Sequence, residues 1–201
     1  MNYFLRAGAY LFHPLLMPLL GTVCYYMVTP RFIDPNVMTA KIIAIGIITF
    51  IIPIILFFLL KSLRAVDSIH LVTVRERRIP IMLQCILFLL VIKLVLDPYD
   101  ATELYYFFVG ILFSAIAALL LGIFKFKSSL HQMGIAGVTM FLVGLSIHFK
   151  VNVLLGLCFF FIVNGWVASS RLHTQSHVGS ELVVGFFIGL VPQLLMFNFY
   201  L

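Results

Sequence analysis

Seven long apolar stretches alternate with short polar ones along this chain. They run over residues 8–28, 41–61, 80–97, 103–124, 130–148, 151–169 and 177–199. Each is roughly 17 to 23 residues long, the length an α-helix needs to cross a hydrocarbon layer about 30 Å thick. The runs are continuous, whereas a membrane barrel has short segments of alternating polarity. The breaks carry turn chemistry: Pro30 to Asn36, Asp97-Pro98-Tyr99-Asp100, and His148 to Asn152, short enough for a tight helical hairpin. Pro53 falls inside the second stretch and is expected to kink it. The pattern predicts an all-α, polytopic transmembrane bundle of six to seven helices, forming a single integral membrane domain over 1–201. The first stretch is interrupted by His13, Pro14 and Pro18 and lacks a small-x-small cleavage site, so it is expected to be retained.

Composition agrees with this reading. Apolar residues make up 63% of the 201 and charged residues 10%, against about 25% charged in a soluble domain. A soluble enzyme, a DNA-binding domain and a disordered tail are excluded. The net charge of +6 therefore points to anionic headgroups among the membrane lipids or to a phosphate substrate, with no nucleic-acid partner. Cys24, Cys85 and Cys158 each lie in an apolar run without CxxC spacing, and are expected to be small buried apolar residues.

The polar residues are not spread evenly. One cluster, Lys61 to Arg78, holds Lys61, Arg64, Asp67, Ser68, His70, Arg75, Glu76, Arg77 and Arg78. A second holds Lys125, Lys127, Ser128, Ser129 and His131. A third holds Ser169, Ser170, Arg171, His173, Gln175, Ser176 and His177. Two crossings separate each cluster from the next, so all three emerge on one membrane face. The other face receives the thinner set Arg31, Asp34, Lys41, Asp97, Asp100, Glu103 and Lys150.

The third cluster has chemistry in its spacing: Ser170-Arg171, five residues, His177, three residues, Glu181. With a helix starting near His177, the histidine and Glu181 share a face at i and i+4. The carboxylate then fixes one imidazole nitrogen and leaves the other free to attack. Arg171 offers a forked donor for phosphate oxygens. In the second cluster, Ser128 or Ser129 is a natural N-cap, and the exposed amides behind it, with Lys125 and Lys127, favour an anion. Pro80, after Arg77-Arg78-Ile79, suits the first turn of the third helix.

These residues resemble the type 2 phosphatidic acid phosphatase superfamily, the membrane lipid-phosphatase branch related to vanadium haloperoxidases. The third family motif is Ser-Arg, five residues, His, three residues, Asp. Its chance occurrence in a chain of this length is on the order of one in several hundred. The second, Pro-Ser-Gly-His, corresponds to Ser128-Ser129-Leu130-His131, and the first, Lys, six residues, Arg-Pro, to Arg77-Arg78-Ile79-Pro80. The resemblance spans about 70–190. It departs in Glu181 for Asp, in Ser128 and Leu130 for Pro and Gly, and in the extra residue before Pro80. Counting back seven from Arg77 and Arg78 gives His70 and Leu71 rather than lysine; Arg75 or Lys127 is the candidate for that charge.

The resemblance implies an integral membrane lipid-phosphate phosphatase acting through a phosphohistidine on His177. Glu181 would orient that ring and His131 would protonate the leaving oxygen. Arg171, Arg78, Arg77, Ser129, Ser170 and Lys127 would bind the phosphoryl oxygens, with no metal and no cofactor. The motif departures motivate an alternative: a catalytically impaired relative that binds phosphorylated lipids or a protein partner without turnover. A transporter or channel would need ionisable residues within the helices, for which Lys93 is the main candidate. His13, His148 and His173 have no motif partner and are expected to be structural, with a substrate contact open to His173 because it lies inside the third motif. Lys and Arg are richer on the motif face. Without the candidate substrate ligands, Arg6, Lys61 and Arg64 face Arg31, Lys41 and Lys150, which is no bias. Many relatives of the resembled family work on the extracytoplasmic face, and a bacterial inner (plasma) membrane protein with that orientation is expected. Spacing selects neither the lipid nor the oligomeric state.

Overall fold

A computed structural model describes residues 2–64 and 74–201, without the side chains of residues 2, 74 and 75. Asp67, Ser68, His70 and Leu71 lie outside the described residues, as does the side chain of Arg75. The described residues form an all-α bundle. Its helices are α1 (Asn2–Leu11), α2 (Met17–Val28), α3 (Pro35–Ser62), α4 (Val74–Leu90, continued by a wide turn Val91–Val95), α5 (Thr102–Ile123), α6 (Leu130–Phe149), α7 (Leu154–His173) and α8 (Gly179–Met196). Six of them are long and apolar enough to cross a membrane. The first apolar stretch is broken rather than continuous: Tyr3–Leu11 and Pro14–Val28 meet at 41°. His13 and Pro14 lie at the break, where proline cannot carry the helical hydrogen bond.

The expected kink at Pro53 takes another form. Ile47–Ile51 widens into a π turn just before it, and the helix runs on to Ser62. The wider turn accommodates the missing proline amide. Pro80 lies inside α4, six residues after its start at Val74, and not in a first turn as the sequence suggests. The hairpin at 148–152 forms as expected. Lys150 takes a left-handed conformation at φ 55°, and Asn152 Oδ1 accepts from Leu154 N at 3.0 Å. Cys158 is exposed on the outside of the bundle, against expectation, while Cys24 and Cys85 are partly buried. It lies on the outer face of α7, where lipid rather than protein is the apolar neighbour.

The face opposite the polar clusters is closed by one buried carboxylate. Glu103, 1% exposed, accepts from Arg31 at 2.7 and 3.2 Å and lies 2.8 Å from His148 Nε2. Tyr25 donates to it at 3.4 Å. This joins the loop after α2 to the start of α5 and the end of α6. His148 is thus structural, as expected. Lys41 also pairs with Asp100 on this face.

α6 and α8 approach each other at backbone distance. A Cβ on Gly185 would lie 2.6 Å from the Ser129 carbonyl oxygen, and one on Gly189 would overlap the Met133 carbonyl. Neither backbone atom can move aside as a flexible side chain would. Gly189→Ala is therefore expected to cost about 1–3 kcal/mol. Thermal unfolding of the detergent-purified protein measures this, and an unchanged midpoint would contradict the packing.

Candidate functional site

The approach of α6 and α8 brings two helix starts together. Ser129 is the N-cap of α6, and its Oγ accepts from Gln132 N at 3.4 Å. Its own amide donates to the Glu181 carbonyl at 3.1 Å. Glu181 is the third residue of α8 and turns back over the helix start. Its Oε2 lies 2.6 Å from His177 Nδ1 and accepts from Val178 N at 3.3 Å. The expected His177–Glu181 pair is present, but its basis differs. α8 begins at Gly179, so His177 precedes the helix and the two do not share a helical face. The pairing is a capping geometry, in which a carboxylate at N3 satisfies the donors just outside the helix.

The carboxylate keeps hydrogen on Nδ1, which leaves the Nε2 lone pair free. The His177 side chain is 1% exposed and borders a large cavity of about 890 Å³. Burial lowers its pKa from the usual imidazole range; the Glu181 hydrogen bond opposes the shift, and the nearby Arg77 and Arg171 guanidiniums reinforce it. The ring is thus held neutral, as a nucleophile must be.

Arg77, His131 and Arg171 line the same cavity. Arg171 Nε is buried without a hydrogen-bond partner among the described residues. Arg77 reaches the Ser128 carbonyl at 3.5 Å and stands close enough to Arg171 for mutual repulsion. Lys127 donates to the Ser176 carbonyl at 3.1 Å. Burial, with Arg77 and Arg171 nearby, lowers its pKa. Three cations gathered against their own repulsion make a site that an anion would relieve.

The remaining predicted residues sit elsewhere. Arg78 donates to the Gly122 carbonyl at 3.2 and 3.0 Å and to that of Ile123 at 3.4 Å. It caps the C-terminus of α5, where a cation suits the helix dipole, and it does not line the large cavity. Ser129 and Ser170 are fully buried beside the site, and the Ser170 hydroxyl has no partner among the described residues. Lys93 is exposed near the end of α4, away from the cavity. Among the described residues no three His, Cys, Asp or Glu side chains converge as metal ligands would.

Two residues read as structural, His13 and His173, belong to the cavity wall. His13 stands edge-on to His131, with ring centroids 5.3 Å apart. Its Nδ1 accepts from Leu15 N at 3.4 Å, so the neutral ring carries hydrogen on Nε2. His131 in turn bonds the backbone of Ala9. The broken first span therefore both orients His131 and adds a third imidazole. The Pro14 break was visible in the sequence, but its packing against α6 was not.

No family model matches the chain, and no curated protein or solved structure matches it either.

The imidazole environment is testable. A base whose folded pKa is depressed binds no proton in the folded state at pH values where the unfolded chain binds one. Its contribution to stability is present above about pH 6.5 and is lost as pH falls below it. In nitrogen-detected NMR with selectively labelled histidine, the His177 signals are expected to stay in the neutral form from pH 8 to 6. A midpoint at 6.5 or above would contradict the arrangement.

Proposed function

We propose that the protein is an integral membrane lipid-phosphate phosphatase that works through a phosphohistidine intermediate. The observation that carries this reading is the single cavity bordered by His177, His131, Arg77 and Arg171 at one end, with the His177 ring held by Glu181 at 2.6 Å. Below that end the cavity is walled by Ile54, Phe57, Ile81, Leu87, Phe88 and Phe107. A cationic head over an apolar body fits an amphiphile with a phosphoryl headgroup.

The chemistry balances without further reactants than water. His177 Nε2 attacks phosphorus, and the bond from phosphorus to the lipid oxygen breaks as the P–N bond forms. His131, protonated, gives its proton to the departing oxygen. Water then attacks the phosphohistidine, passes a proton to His131 and releases inorganic phosphate with His177 restored. Arg171 and Arg77 stabilise the negative charge on the equatorial oxygens in both steps. Arg78 is engaged with carbonyls of α5 and has no part in this scheme; Glu181 holds the His177 ring, and Ser129 ties the two helix starts together. The resemblance supports these roles for His177, His131, Glu181, Arg171 and Arg77, and an extracytoplasmic active face.

Phosphate release by the detergent-purified protein tests this reading. With chelator present and a panel of lipid phosphates, we expect release that vanadate inhibits. His177→Ala should abolish it, and Arg171→Ala should lower kcat by about 10²–10³-fold, the usual effect of removing one transition-state donor. Full activity in His177→Ala would end the proposed mechanism. Binding of a lipid phosphate without release would favour the turnover-free relative instead.

A further inference from the structure

The third imidazole of the cavity has no task in the scheme above. His13 is exposed where it lines the cavity wall. Its Nδ1 is taken by the Leu15 amide at 3.4 Å, which leaves Nε2–H as a donor with no partner among the described residues. Asn, Asp, Ser and Thr are the usual side chains for such a cap; an imidazole adds a donor on its far side. His131 is arranged in the same way. It spends one ring position on the Ala9 backbone and keeps its other nitrogen. No hydrogen bond joins the two rings directly, yet their centroids are 5.3 Å apart. A hydrogen-bonded oxygen stands about 4 Å from an imidazole centroid, so this separation admits one oxygen bonded to both rings. Both rings also stand close enough to Arg171 to feel its charge, and His131 close enough to His177. The shared position therefore adjoins the phosphoryl site.

We propose that His13 is a further catalytic residue: its Nε2–H holds the water that hydrolyses the phosphohistidine, at an oxygen position shared with His131. The water accepts from His13, gives one proton to His131 and attacks phosphorus with its remaining lone pair. The P–N bond to His177 breaks as the new P–O bond forms, and inorganic phosphate leaves. His131 keeps the proton for the next departing lipid oxygen, while His13 stays neutral and gives up none. Two fixed imidazoles define where the water stands, which converts a diffusing reactant into a placed one. The inference rests on the phosphatase reading above and deepens its second step.

Two substitutions separate the cap from the donor. His13→Asn keeps a capping oxygen for the Leu15 amide and is too short to place a donor at the Nε2 position. His13→Gln carries its amide N–H about where Nε2 stood and forfeits the cap. The full chain in detergent is given dioleoyl glycerol phosphate or farnesyl phosphate, labelled in the phosphate, and quenched in alkali to preserve phosphohistidine. His13→Asn is expected to lower kcat by about 10- to 100-fold and to raise the steady-state phosphoenzyme several-fold, because only the second step is slowed. His13→Gln should recover part of the rate and lower the phosphoenzyme again. An Asn variant with unchanged kcat overturns the inference and leaves His13 a cap. A slower Asn variant without added phosphoenzyme overturns it too, as does a Gln variant no better than Asn. Vanadate binding supplies a readout without turnover, since five-coordinate vanadate on His177 puts an apical oxygen where the water stands. His13→Asn should bind it about tenfold more weakly, the effect of one lost hydrogen bond, and equal affinity overturns the inference. Phosphate release from neither lipid counts against the phosphatase reading and leaves the vanadate comparison to decide the His13 contact; a failure of the unsubstituted protein to bind vanadate overturns both.

Discussion

The backbone amide of Ser129 donates to the carbonyl of Glu181 across two helix starts, and the arrangement of the site follows from that contact. It requires α6 and α8 to approach at backbone distance, which the glycines at 185 and 189 permit. Small residues at such crossings are how membrane helices gain van der Waals contact when lipid supplies no hydrophobic drive. The approach sets His131, the second residue of α6, and His177, just before α8, along the same cavity. It also lets Glu181 cap its helix and hold the imidazole with one carboxylate oxygen. Packing and chemistry at this end of the bundle are the same set of contacts.

The two membrane faces handle charge in opposite ways. On one, Glu103 is buried and satisfied by Arg31, His148 and Tyr25, a closed network that holds three parts of the chain in place. On the other, Arg77, Lys127 and Arg171 converge, with Glu181 and Glu76 among the charges that oppose their repulsion. Buried charge is costly unless paired. The first face meets that requirement internally, while the second leaves Arg171 Nε without a partner among the described residues. The imbalance is the physical basis for expecting an anion there, and the apolar cavity beneath is the basis for expecting that anion to carry hydrocarbon.

Much of this was legible in the chain. Helix number and approximate length followed from runs matched to bilayer thickness, and loop parity brought the three polar clusters to one face. The spacing of His177 and Glu181 identified a real pair, though for a reason that differs from the observed one. A four-residue interval fits a helical face and equally fits a capping carboxylate reaching back, and the interval alone cannot separate them. Arg77 and Arg78 are adjacent and chemically identical in sequence. The helix turns them about 100° apart, so one borders the cavity and the other caps α5. His13 was passed over because its partner, His131, lies 118 positions away in the chain and no local pattern links them.

The sequence by itself determined what is local or one-dimensional: membrane-spanning segments, their order, the turns and the face on which the polar residues emerge. These depend on hydrophobic length, backbone chemistry and counting. The tertiary structure decided which of the clustered cations face the cavity and how the broken first span delivers His13 and the Ala9 backbone to His131. Those outcomes depend on helix rotation and on the closeness of backbones. Both are set by side-chain packing between segments far apart in the chain, which no spacing along one strand of sequence encodes.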